Sequence, residues 1–157
     1  MLDGRMLDPT EQKLTPLEHS AQNRCFGCGD ANPIGLHLRF FLAEDGTVVC
    51  PATIPDRFEG HPGYLHGGII ATLLDEVMSK VMRSRGVLAM TRHMEVDYLR
   101  PVPSGAPLRL EGRMTHLEGR KRWAEAKILD GEGTVLAAGK GLFVEIPPRG
   151  SANPGQP

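Results

Sequence analysis

A histidine, two glycines and an aspartate mark the part of this sequence that could do chemistry on a carbonyl group. His66-Gly67-Gly68 precedes a strongly apolar run, and Asp75 lies within that run nine residues after the histidine. The first N–H groups of a helix have no internal acceptor, lie at the positive end of its dipole, and are easily approached at glycines. Such amides can hold a carbonyl oxygen as it gains negative charge, and a nearby carboxylate can act as a base. The alternative is a tight glycine turn with His66 near the capping position.

The apolar run predicts a helix over residues 67–83 with two faces. The predicted core face consists of Ile69, Ile70, Leu73, Leu74, Val77 and Val81. A second stripe, roughly opposite, consists of Gly68, Ala71, Asp75, Met78 and Met82. Asp75 therefore points into an apolar cleft, where its reactivity can be tuned, or is simply solvated or paired. The two methionines fit either the core or an adaptable substrate pocket.

Glu76, the second acid of the helix, has an ordinary explanation. It lies on a polar flank, and Lys80 follows four residues later. Such a pair stabilises a helix by about 0.2–0.5 kcal/mol. The pattern thus favours Asp75 over Glu76 as the chemical group.

The spacing of the amide and the carboxylate indicates a dimer. Gly67 and Asp75 are eight residues apart, or about 12 Å along a helix axis. One helix cannot easily direct both groups at the same carbonyl. Two copies of the helix, antiparallel across a dimer, bring the amide of one close to the carboxylate of the other.

Four runs after the helix are predicted strands, and an earlier hairpin precedes it. The later strands cover residues 89–99, 107–117, 121–129 and 134–146. The hairpin begins near Leu36 and continues across the Asp45-Gly46 turn into residues 47–54. Short connections imply antiparallel pairing, and so apolar a helix must be covered on most sides. The sequence predicts an α+β fold with a curved antiparallel sheet wrapped around one long helix.

Strict alternation along residues 89–99 places four polar side chains on one strand face. They are Thr91, His93, Glu95 and Asp97. A solvated face is the simplest interpretation for His93.

Residues 15–146 are predicted to form a single domain. The polar segment 1–14 lacks periodicity, and segment 147–157 is rich in Pro, Gly and Ser. Both segments are predicted to be disordered.

The composition argues against several classes of partner. The 157-residue chain has a net charge of −1 and only 5% aromatic residues. This composition does not indicate a basic or base-stacking surface for nucleic acid. No run approaches the roughly 18 apolar residues of a membrane span, and the N-terminus lacks a secretory apolar region. We expect a cytoplasmic protein that binds neither nucleic acid nor membranes.

The three cysteines are expected to be reduced thiols, because no export signal is visible. Cys25 and Cys28 form one CxxC, and Cys50 is separate. A structural zinc site generally needs four ligands, and no second CxxC exists. We interpret the pair as small loop residues and predict no metal; ligands from another subunit are the alternative.

Two segments, HPGYLHGGIIATLLDEVMSKVM and MEVDYLRPVPSGAPLRLEGR, resemble hot-dog-fold acyl-CoA thioesterases of the phenylacetate-degradation (PaaI-like) type. A third, CFGCGDANPIGLHLRF, resembles the N-terminal signature of one branch of that family. The resemblance implies a helix wrapped by an antiparallel sheet that dimerises into a continuous sheet, often within tetramers. It also implies hydrolysis of an acyl-CoA without a metal or redox cofactor.

The resemblance further implies roles for individual residues. Asp75 corresponds to the general base or nucleophile, and the Gly67 amide of the other subunit to the group that polarises the thioester carbonyl. Thr91, counted back from the Asp-Tyr-x-x-Pro strand end, corresponds to the residue that assists the water or the carboxylate. Some members have an Asn where this sequence has Gly60. The predicted substrate contacts are His66, Gly68, Met78 and Met82.

Two other functions stay open at this point. A hot-dog hydratase or dehydratase would pair His61 or His66 with Asp75 or Glu76 to act on a β-carbon. A non-catalytic protein would bind acyl-CoA without turnover.

Overall fold

A computed structural model of the chain describes residues 12–147. The helix α1 is Gly67–Ser84, and a single 3₁₀ turn is Asp56–Phe58. The strands are β1 (Leu14–Pro16), β2 (Phe41–Ala43), β3 (Val48–Thr53), β4 (Ala89–Tyr98), β5 (Pro107–Glu118), β6 (Lys121–Leu129) and β7 (Val135–Glu145). The predicted helix and the four predicted strands that follow it are confirmed to within about two residues at each end.

The seven strands form one antiparallel sheet in the order β1-β2-β3-β5-β6-β7-β4. The helix packs against β3, β4, β5, β6 and β7. Because the sheet curves around α1, the α+β architecture predicted from the sequence is confirmed.

The core lies between α1 and the concave face of the sheet. Leu73, Leu74 and Val77 of the helix are fully buried, and burial of each such side chain contributes roughly 1.5–3 kcal/mol. Close approach depends on Gly112 of β5, where a Cβ atom would lie 3.2 Å from the Cγ2 atoms of Val77 and Val81. A small residue at that point lets the sheet follow the helix closely.

The first strand of the predicted hairpin, β2, starts later than predicted and is only three residues long. The extended pairing expected from Leu36 begins only at Phe41, and His37 has a positive φ of 51°. Residues 36–38 instead bond to the preceding loop, because Leu36 N–H donates to the Phe26 carbonyl at 2.8 Å. The predicted Asp45-Gly46 hairpin turn is confirmed, with a φ of +87° at the glycine.

Most of the two segments predicted to be disordered lies outside the described residues. Leu14, inside the first of these segments, pairs with Ala43 in the sheet, so the ordered part begins slightly earlier than predicted. Between residues 12 and 147, no helix has the length and hydropathy that crossing a membrane requires.

Candidate active site

The N-terminus of α1 presents one backbone amide that has no acceptor within residues 12–147. His66 caps the helix, and its Nδ1 accepts a hydrogen bond from the Gly68 N–H at 2.9 Å. The Tyr98 hydroxyl donates to the Gly67 carbonyl at 2.9 Å and ties the first turn to β4. The Gly67 N–H is therefore the amide that an incoming oxygen atom can reach. Sequence analysis did not identify Tyr98 as part of the site, although it is the tyrosine of the Asp-Tyr-x-x-Pro strand end.

The same geometry separates the predicted roles of the two glycines. Gly68 was predicted to contact substrate, yet its N–H is already used by His66. The imidazole of His66 itself is exposed at the surface. Of the two glycine amides, the Gly67 N–H is the one without an acceptor among the described residues, and the exposed His66 ring can still meet a substrate through Nε2.

Asp75 is partly buried beside β4, two turns further along the helix. Thr91 Oγ1 donates to Asp75 Oδ1 at 2.6 Å, which brings these two predicted catalytic residues together. Burial raises the pKa of Asp75 above its ordinary value of 3.8; the Thr91 hydrogen bond opposes the rise, and the charge of Glu76 adds to it. A carboxylate with a raised pKa is a stronger base.

A β-bulge turns Thr91 toward the helix. Thr91 pairs with Phe143 of β7, whereas His93 pairs with the adjacent Leu142, so Arg92 is an extra residue in β4. One inserted residue reverses the faces of the side chains on either side of it. The prediction that Thr91 shares a face with His93 is therefore wrong: Thr91 contacts the helix carboxylate, and His93 is exposed to solvent.

A long unpaired sheet edge lies beside these groups. β4 is the last strand of the sheet, and no strand within residues 12–147 pairs with the outer edge of its ten residues. Met90 and Tyr98, close to the two ends of this strand, are 58% and 55% exposed. A long free edge flanked by large exposed side chains is typical of a surface that pairs with another chain.

The two methionines predicted to contact substrate lie in the core of the subunit. Met78 and Met82 are at most 1% exposed, and Met78 packs over Gly141 of β7. The sheet covers the C-terminal part of the second stripe as well as the core stripe, so only its N-terminal part, from Gly68 to Asp75, stays exposed or half-buried. The structure does not bring the methionines to the surface with Asp75.

Gly60 stands where some related sequences have an asparagine. A Cβ atom here would lie 3.2 Å from the Cα atom of His66. The loop thus packs closely on the capping residue, and this position offers no side chain to a bound carbonyl.

Glu76 occupies a different environment from Asp75. The residue is only 9% exposed, and its carboxylate oxygens lie 3.4 and 3.5 Å from Cys25 Sγ. Lys80 Nζ is 3.7 Å away, which confirms the predicted ion pair. Burial raises the pKa of the neighbouring Cys28 thiol to about 12. The contact with the cysteines was missed because 51 positions separate Cys25 from Glu76.

A separate cleft of about 440 Å³ lies on the sheet away from these groups. Its lining includes Glu111, Arg113, Glu125 and Lys127, but neither Gly67 nor Asp75. We assign the candidate active site to the α1–β4 surface, where the free amide and the hydrogen-bonded carboxylate lie.

Known proteins share this domain. Residues 62–137 match the model of the Thioesterase superfamily. Acyl-coenzyme A thioesterase THEM4 of Bos taurus is 29% identical over 148 residues, which cover 93% of this chain and 60% of that protein. The chain thus spans about 60% of the length of this curated relative.

Solved structures of other proteins have a similar fold. A thioesterase superfamily protein of known crystal structure is 31% identical, with a TM-score of 0.74 over 77% of this chain and 60% of that chain. The PaaI protein of E. coli, from the phenylacetic acid degradation operon, is 20% identical, with a TM-score of 0.66 over 71% of this chain and 81% of that one. At that identity the likeness concerns the fold alone. Together these matches confirm the hot-dog architecture and the resemblance to thioesterases that was inferred from the HGG and DYLRP segments.

Proposed function

Because residues 62–137 match the Thioesterase superfamily model and the chain has the hot-dog fold of a solved thioesterase superfamily protein, we propose that it hydrolyses an acyl-CoA thioester to a free acid and coenzyme A. The name of the bovine relative supports this substrate class. The observation that carries the proposal is the Asp75–Thr91 hydrogen bond. It holds a carboxylate in place on a largely apolar helix whose N-terminal amide is free.

In the proposed reaction, Asp75 accepts a proton from water as the water oxygen bonds to the thioester carbon. In the nucleophilic variant, the carboxylate attacks that carbon itself, the C–S bond breaks to release the coenzyme A thiolate, and water then hydrolyses the acyl-Asp75 anhydride. The Thr91 hydroxyl holds Oδ1, which leaves Oδ2 for the reacting atom. The Gly67 N–H and the helix dipole stabilise the charged carbonyl oxygen. The C–S bond then breaks, and the coenzyme A thiolate takes up a proton.

The amide and the carboxylate of one site come, in this proposal, from two subunits. They are about 12 Å apart along one helix, too far to act on a single carbonyl. Antiparallel pairing of β4 with β4 of a second copy covers the free edge and extends the sheet. It also brings the two helices side by side, so that Gly67 of one faces Asp75 of the other. The expected assembly is a dimer, or a tetramer made of two such dimers.

Mixing two inactive variants tests the shared site. In a mixed dimer of Asp75→Asn and Gly67→Pro, one site contains both defects and the other contains neither. We expect co-refolded mixtures to recover up to about half of the wild-type turnover per mixed dimer, although each variant alone is nearly inactive. No recovery, in mixtures shown by mass spectrometry to contain mixed dimers, would place both groups in one subunit and overturn the shared site.

The activity itself is tested by release of free thiol from short, medium, long and aryl acyl-CoA substrates. We expect turnover with at least one class. Hydration of a 2-enoyl-CoA without thiol release would favour the hydratase alternative, and tight binding without turnover would favour a binding protein. Either result contradicts hydrolysis.

We also propose a reducing compartment, such as the cytoplasm, as the working location. The proposal is supported by the three cysteines, which are free thiols. Fractionation of the native cell is the direct check.

A further inference from the structure

A second cluster of reactive side chains lies next to α1 and is not used by the proposed hydrolysis. Cys25 and Cys28, from the loop before β2, meet Glu76 from the helix, and one ligand atom from each lies within 4.8 Å of the other two. The loop fits tightly, because a Cβ atom at Gly27 would lie 2.5 Å from the Glu76 side chain. Glycine at this position lets the cysteines close over the carboxylate.

The spacing of these atoms matches a tetrahedral zinc site. With bonds of about 2.3 Å to sulfur and about 2.0–2.2 Å to oxygen, two ligands of one zinc ion lie about 3.5 Å apart. Cys25 Sγ lies 3.4 and 3.5 Å from the two Glu76 oxygens. The third ligand atom, Cys28 Sγ, lies within 4.8 Å of the other two, so a shift of at most about 1 Å is needed to reach zinc-ligand spacing.

Asn23 and Lys80 lie where they can support such a zinc site. The Asn23 side-chain amide donates to Cys28 Sγ at 3.3 Å, and its oxygen accepts the Cys25 N–H at 3.0 Å. Donors of this kind orient metal-bound sulfur. Two thiolates and a carboxylate around a divalent cation leave one negative charge, and the Lys80 ammonium, 3.7 Å from Glu76, balances it.

The cluster also has an entry path. A cleft of about 570 Å³ is lined by Cys25, Cys28, Glu76 and Lys80, and reaches the surface at Arg83. A water molecule from this cleft supplies the fourth position of a three-ligand site.

We propose that Cys25, Cys28 and Glu76 bind a thiophilic divalent cation, Zn²⁺ above all, which fastens the CxxC loop to α1. Of the two ligands that the CxxC alone lacks, Glu76 of α1 supplies one and water supplies the other. The role is structural and independent of thioester hydrolysis.

The test uses tag-free protein and Zn²⁺ and Co²⁺ themselves. After removal of metal under reducing conditions, we expect one equivalent of Zn²⁺ to bind and to raise the melting temperature. Co²⁺ should give the near-ultraviolet thiolate charge-transfer band and the visible bands of tetrahedral coordination. Cys25→Ser and Glu76→Gln should each weaken Zn²⁺ binding by at least about 100-fold, beyond the 10–100-fold typical of losing an outer-shell partner.

Cys50→Ala is the matched thiol control, because Cys50 is a buried free cysteine of β3 outside the cluster; it should bind Zn²⁺ like wild type. The Co²⁺ spectrum of the wild-type protein tests the site even if a variant fails to fold. Absence of the charge-transfer band, unchanged Zn²⁺ affinity in Cys25→Ser, or a Cys25–Cys28 disulfide that forms in air despite saturating Zn²⁺ would each overturn the proposal.

Discussion

Asp75 and Glu76 are neighbours on α1, and about 100° of helical rotation points them at different partners. Asp75 accepts one hydrogen bond from the edge strand β4 and is otherwise partly open to solvent. Glu76 lies beneath a loop, against a thiol and an ammonium group. An acid available for chemistry keeps a free oxygen beside a surface that substrate can reach, whereas an acid that organises structure is surrounded by fixed partners. The first region is accordingly expected to control turnover, and the second to control metal binding and stability.

Removing the Gly67 amide donor of the candidate active site is expected to lower turnover strongly. Gly67→Pro deletes the N–H but keeps backbone angles suited to the first helical turn. Turnover should fall roughly 10²–10³-fold, as when one oxyanion donor is lost. Gly67→Ala is the matched control: it keeps the donor, and its Cβ meets Tyr98 at an ordinary 3.6 Å. If both variants show the same kcat, the amide is not the donor.

Removing the hydroxyl that holds Asp75 should have an intermediate effect. Thr91→Val keeps the shape but loses the hydrogen bond to Oδ1. Hydrogen bonds to charged groups contribute about 1.5–3 kcal/mol, so we expect kcat to fall by about tenfold or more. Thr91→Ser restores the donor and should recover most of the turnover. Equal loss in both variants would mean that the methyl group matters rather than the hydroxyl.

The two acids should also differ in the sign of their effect on stability. Burial raises the pKa of Asp75 in the folded state, so the folded protein binds this proton more tightly than the unfolded chain does. The protonated carboxyl therefore favours folding at low pH, and this contribution is lost as pH rises through the raised pKa. At neutral pH, Asp75→Asn should therefore raise the melting temperature, by about 2–4 °C for each kcal/mol gained.

Glu76→Gln, studied in metal-free protein, should do the opposite. It leaves the largely buried Lys80 ammonium without its carboxylate and should cost about 1–2 kcal/mol, between the values for exposed and buried pairs. Denaturant unfolding of both variants at pH 7 is the measurement. Shifts of the same sign would remove the contrast between the two regions.

The smallest change in kcat is expected for a substitution of Tyr98. Tyr98→Phe removes one neutral hydrogen bond to the Gly67 carbonyl, worth about 1 kcal/mol. A change of less than about fivefold in kcat follows from that energy. A loss comparable to that of Gly67→Pro would instead make the tyrosine hydroxyl part of the reaction.

The helix, its N-terminal cap and most strands were predictable because each rests on local pattern. Apolar periodicity located α1, and turn residues divided the later strands. Asp75 was singled out by its place in an apolar run, and Thr91 by its distance from the Asp-Tyr-x-x-Pro strand end. These signals lie within a few residues of the features they mark.

The missed features depend on contacts between distant segments. The bulge at Arg92 arises in the register between β4 and β7, which alternation along one strand does not reveal. The helical wheel could not show how far the sheet curves, so it left Met78 and Met82 open between the core and a substrate pocket, and the structure places both in the core. The meeting of Glu76 with Cys25 depends on how the N-terminal loop folds back onto the helix.

The division of work between the two acids is tested most directly by kcat for thiol release, measured side by side for Asp75→Asn and Glu76→Gln. Both changes remove one charge with little change in shape. The account predicts that Asp75→Asn lowers kcat by at least about 10²-fold, the low end for loss of acid–base catalysis. It predicts that Glu76→Gln lowers kcat by less than about threefold, under about 0.7 kcal/mol of barrier. A large loss in Glu76→Gln together with near-normal turnover in Asp75→Asn would contradict it.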